Sequence, residues 1–123
     1  MFRLAEQYLI FGEAVLRGGA GGTQAEAIGY INKLRERAYG NTSGNVSTVN
    51  VDFFLDERAR EMYWECTRRT DLIRYGKFTG GSYLWPFKGG VQAGKAIAET
   101  RNLYPIPAAD IIANPNLVQN PGY

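Results

Sequence analysis

Apolar residues return at helical steps along the first part of the chain and lose that rhythm after Thr79. Leu4, Tyr8, Phe11 and Val15 step by four, three and four, which predicts a helix from Phe2 to Arg17. The run Gly18-Gly19-Ala20-Gly21-Gly22 cannot continue it. Ala27, Ile31, Leu34 and Ala38 repeat the same spacing and predict a second helix. Thr23 and Glu26 open that helix as a capping box, the hydroxyl serving one orphan N–H and the carboxylate another. Tyr39-Gly40-Asn41 closes it, and a short turn between two helices predicts an antiparallel hairpin. A third long helix is predicted from Asp52 to Lys77 on the stripe Leu55, Ala59, Met62, Cys66 and Ile73. Thr70 fills the missing step, Asp52 caps the start, and Gly76 or Gly80 ends the helix.

The polar face of the third helix carries Glu57, Glu61 and Glu65 in one column, with Arg58, Arg60, Arg68 and Arg69 at helical distances. A hydrolase using Glu61 and Glu65 would need carboxylates that face each other across a glycosidic bond. At that spacing they point the same way, so the column reads as an ion-pair face that docks against another helix.

Past Thr79, Gly80, Gly81, Gly89, Gly90 and Gly94 break every period. Tyr83, Trp85 and Phe87 alternate, so an extended backbone would aim all three rings one way. Rings set like this suit stacking on sugar faces, which makes these three residues the candidate ligand contacts. The plainer alternative is that they plug the open end of the helical layer. Four of the five prolines, Pro105, Pro107, Pro115 and Pro121, fall in the tail from Asn102 to Tyr123. They forbid a long helix, and Pro107 leads into one short turn near Ala108. Leu103, Tyr104, Ile106, Ile111, Ile112, Leu117 and Val118 make the tail too apolar for disorder, and they are expected to cover the helices.

The architecture predicted from this pattern is mainly α: a hairpin and a third long helix over residues 1–78, covered by an irregular Pro/Gly-rich segment over 79–123. Composition removes several function classes. The chain has 123 residues and a net charge of +2 from 14 bases and 12 acids, too balanced for a nucleic-acid surface. There is no His, which removes His-based catalysis and His-ligated metals. The single Cys66 excludes an internal disulfide and falls on the predicted buried stripe. Gly18 to Gly22 is not followed by Lys-Ser or Lys-Thr, so it is a turn and not a phosphate cradle. No catalytic residue, metal ligand or cofactor is therefore predicted. No apolar run is long enough to cross a bilayer, and no leader or lipid-attachment Cys stands near Met1.

Arg101-Asn102-Leu103-Tyr104-Pro105-Ile106-Pro107, Asp110, Asn114-Pro115-Asn116-Leu117 and Gln119-Asn120-Pro121-Gly122-Tyr123 together resemble the C-terminal signature of the SusD/RagB family. Leu55-Asp56-Glu57-Arg58-Ala59-Arg60-Glu61 and Arg69-Thr70-Asp71-Leu72-Ile73-Arg74-Tyr75-Gly76-Lys77 are similar to that family's usual helical run. Phe2 to Ala14 and Ala27 to Ala38 resemble its tetratricopeptide-like helices. Cys66 stands where the family usually has Gly. The resemblance implies a non-catalytic surface receptor for starch or other oligosaccharides, anchored by a lipid on the outer membrane of Bacteroidetes. It implies a SusC-like TonB-dependent transporter as partner in nutrient uptake. Family members are several times longer, so the chain is expected to be the C-terminal fragment, with the lipid anchor in the missing N-terminal part. The alternative is a helical protein-interaction module without a ligand of its own. A truncated helical repeat also leaves a face uncovered, and Leu4, Ala5, Leu9 and Ile10 predict self-association through the first helix.

Overall fold

The computed structural model describes residues 3–123. Phe2, the predicted first residue of the first helix, lies outside the described residues. The fold is mainly α, with five α-helices and short 3-10 turns among the described residues. It forms two compact units, Met1–Arg68 and Arg69–Tyr123.

The first unit holds α1 (Leu4–Leu16), α2 (Gln24–Tyr39) and α3 (Val51–Glu61). The Thr23–Glu26 capping box forms as predicted, and Gly40 closes α2 in the left-handed conformation at φ 70°. α1 packs on both α2 and α3. The core between them is Ala5, Leu9, Ala27, Ile31, Leu34, Phe54 and Met62. The buried face of α1 is therefore shifted by one residue from the predicted stripe. Ala5, Leu9 and Gly12 point inward, while Leu4 is exposed. Gly12 explains the shift, because a Cβ there would stand 2.4 Å from the Phe54 ring. Tyr8 and Phe11 form a shoulder instead: Tyr8 stacks on Tyr30 at 4.5 Å and Phe11 meets Tyr30 edge-on at 5.1 Å.

The loop after α2 is tied back to that helix. Asn32 donates to the Val46 carbonyl at 3.0 Å and accepts from its N–H at 2.9 Å. Arg35 donates to the Gly44 carbonyl and, at 3.0 Å, to Glu57. Asn50, not Asp52, caps α3, accepting from the Phe53 N–H at 2.7 Å.

The third helix is not continuous. α3 stops at Glu61, and α4 begins at Arg68 and ends at Arg74. Between them Trp64 and Cys66 adopt φ of 66° and 59°, which no helix tolerates. Cys66 is exposed and not in the core, and Thr70 is exposed as well.

In the second unit, α4 closes at Gly76, whose φ is 65°. The N–H groups of Lys77 and Phe78 both reach the Leu72 carbonyl, at 2.8 and 3.1 Å. One isolated antiparallel bridge joins Gly80 to Ile97. The tail folds into two clipped arms around the short α5 (Ala108–Ala113). Gln119 accepts from the Ile106 N–H at 2.8 Å and donates to its carbonyl at 2.9 Å. Asn120 donates to the Tyr104 carbonyl at 2.7 Å, and the Tyr123 hydroxyl to the Leu103 carbonyl at 2.8 Å. Leu103, Tyr104, Ile112, Leu117 and Val118 are exposed, against expectation. Amide clips hold these arms, so their apolar side chains are not needed for order.

Candidate functional site

The predicted ligand contacts lie on the irregular loop between the Gly80 bridge and Lys88. The backbone there is bent and not extended, so the three rings are not set by simple alternation. Tyr83 and Trp85 come together with centroids 6.0 Å apart, both half-buried. Phe78 stacks on Trp85 at 6.4 Å with an interplanar angle of 27°. Phe87 sits at φ 65° and is 68% exposed. Its N–H donates to the Gln92 carbonyl at 3.3 Å, and its carbonyl accepts from Gly90 at 3.0 Å. A bulky residue in the left-handed region is costly by about 1–3 kcal/mol and persists only where its surroundings enforce it.

The residue that the sequence pattern did not single out is Lys88. It is 1% exposed, the most buried charged side chain in the second unit. Its ammonium donates to the Tyr83 carbonyl at 2.6 Å and the Gly80 carbonyl at 2.9 Å, with the Lys77 and Thr79 carbonyls at 3.5 Å. It also lies 4.7 Å from the centre of the Trp85 ring, and Lys77 lies 5.4 Å from that of Tyr83. Glycine makes the enclosure possible: Gly94, at φ 75°, could not carry a Cβ without approaching the Trp85 carbonyl to 2.6 Å. The only advance signal was the pair Gly89-Gly90 directly after Lys88, which marks a tight turn but not a buried cation.

The carboxylate column is taken up by arginines. Arg3 donates to Glu61 at 2.9 Å and to Glu65, and Arg37 donates to Glu61 at 2.6 and 2.7 Å. Hydrogen bonds donated to Glu65, then to Glu61, raise the Arg3 guanidinium above its ordinary value, so it stays charged at any working pH. Arg35 and Arg60 hold Glu57 in the same way, at 3.0 and 2.7 Å. The arrangement is the ion-pair face that the spacing suggested, built between the start of α1, α2 and α3.

Beside this face a cleft of about 510 Å3 opens, lined by Ala59, Met62, Tyr63, Trp64, Cys66 and neighbours. Among the described residues no cluster of His, Cys, Asp or Glu is placed to hold a metal ion. No described helix is long and apolar enough to cross a membrane.

Known proteins share both sequence and fold with this chain. The starch-binding protein SusD of Bacteroides thetaiotaomicron is 48% identical over 123 residues, which is all of this chain and 21% of that protein. SusD-like protein P2 of Formosa agariphila is 32% identical over 98% of this chain and 25% of its own length. Among solved structures, surface glycan-binding protein A from Bacteroides thetaiotaomicron superposes with a TM-score of 0.76 at 32% identity, covering 98% of this chain and 24% of that one. The chain thus spans about a fifth to a quarter of the relatives it matches. The profile of the SusD family matches residues 1–123, and the chain belongs to that family.

Proposed function

We propose that the chain is the C-terminal part of a cell-surface glycan-binding protein that serves nutrient uptake at the outer membrane. The observation that carries this reading is the 48% identity, across the whole chain, to a protein named for starch binding. A SusC-like TonB-dependent transporter is the partner, and an oligosaccharide is the ligand. No catalytic step is required of it. Glu61 and Glu65, the acids a hydrolase would use, are each held by arginine.

Tyr83, Trp85 and Phe87 are the ligand contacts in this reading. The rings of Tyr83 and Trp85 meet on one loop that also carries the exposed Phe87, and aromatic surface of this kind meets the C–H face of a pyranose well. Titrating maltoheptaose into the chain by calorimetry tests it. Trp85→Ala and Tyr83→Ala are each expected to weaken binding about tenfold, the loss of roughly one stacked ring. Binding undiminished in both would remove these residues from the site.

Self-association of the chain through α1 belongs to the same proposal, now without Ala5 and Leu9, which are buried in the core and cannot serve it. Leu4 and Ile10 are 65% and 48% exposed on that helix. Sedimentation at rising concentration is expected to show dimers or larger species that Leu4→Glu with Ile10→Glu abolishes. A monomer throughout would exclude it.

A further inference from the structure

We propose that Lys88 is a positioning residue, whose buried ammonium fixes the loop that carries Tyr83 and Trp85 in its ligand-ready form. The inference rests on the reading of those rings as the glycan contacts, and deepens it. Three observations point to Lys88. Its Nζ is bonded at 2.6 Å to the carbonyl of Tyr83 itself, so the cation holds the backbone of one platform residue. It lies 4.7 Å from the ring centre of the other, Trp85, where the ring quadrupole favours positive charge. The main chain of Lys88 is clamped as well: its N–H donates to the Trp85 carbonyl and its carbonyl accepts from Lys95, both at 3.0 Å.

The chemistry of this enclosure is that of a site for a small monovalent cation. Its partners are main-chain carbonyls and an aromatic ring. Carbonyls turned inward are costly when left without a donor. Without the ammonium, the carbonyls of Gly80 and Tyr83 would turn out toward water. The segment 80–85 would then lose the conformation that brings the two rings together. The second unit has little apolar core to resist that change, since Leu72 is its one buried apolar side chain among the described residues.

The test uses the chain with Trp64→Phe, which leaves Trp85 as its single tryptophan. In that background Lys88→Met keeps an unbranched stem out to the ε position and removes the charged amine beyond it. Expected are a shift of the Trp85 emission maximum and maltoheptaose binding weakened about tenfold or more, with helical circular dichroism kept. Lys88→Ala is expected to lose binding too, and to regain it with added propylammonium, which supplies the missing carbons and the cation. Two results overturn the proposal alone: Lys88→Met that binds and emits like its parent while Trp85→Ala has lost binding, or a Lys88→Ala variant that propylammonium does not restore. Undiminished binding in Trp85→Ala and Tyr83→Ala removes the glycan reading of the loop, and the role of Lys88 with it. Should Lys88→Met lose its helical signal, the propylammonium arm decides, restoration supporting the proposal and its failure overturning it.

Discussion

The two units of this chain reach order by opposite means. In the first, apolar surface does most of the holding: Leu9, Ala27, Ile31 and Phe54 are completely buried, and arginine–glutamate pairs lie around them. In the second, Asp71, Thr79 and Lys88 are buried beside the lone apolar Leu72, and side chains reach main-chain groups at turn after turn. Helices satisfy their own backbone, so their side chains are free to make a core. A segment broken by glycine and proline must find partners for each N–H and C=O elsewhere. The difference follows from that accounting and from the change in composition after Thr79.

The largest expected effect tests the apolar side of this contrast. Phe54→Ala should destabilise the first unit by about 3–5 kcal/mol, read from urea denaturation followed by helical circular dichroism. A loss under about 1 kcal/mol would mean that the core is not what holds this unit. Next, Glu57→Ala removes the acceptor shared by Arg35 and Arg60 and should cost about 2–3 kcal/mol in the same measurement, because a half-buried guanidinium loses its partner. On the other side of the contrast, Gln119→Ala takes both hydrogen bonds from Ile106 and one from the Asn120 N–H. About 1–2 kcal/mol of local stability should disappear, seen as faster amide exchange at Ile106 and Asn120. Unchanged exchange there would show that the arms are held by something other than the amide clip. The smallest effect is that of Thr23→Ala, about 1 kcal/mol, confined to fraying at the start of α2.

What could be read in advance was what depends on a few neighbouring residues. Thr23 and Glu26 formed their box, Gly40 ended α2, and Pro107 led into α5 beginning at Ala108. What failed depends on partners distant in sequence. The register of α1 was missed because Gly12 counts as nothing in an apolar stripe, yet it is the residue against which Phe54 packs. The break after Glu61 was missed because residues 62–67 contain neither Gly nor Pro, and Trp64 and Cys66 rarely take positive φ. Of the candidate site, the rings of Tyr83 and Trp85 were visible as residue types, whereas Lys88 looked like any surface lysine. Four carbonyls brought together by separate turns have no signature in the letters themselves.

The close approach at Gly12 has a consequence for how this chain can vary. Positions 12 and 54 share one fixed volume, so neither can change freely while the other stays as it is. Gly12→Ala alone should be harmful and Phe54→Leu alone should leave a void, but together each compensates part of the other's defect. Their combined cost should fall below the sum of the two, and the shortfall would measure how rigidly that seam transmits size from one helix to the next.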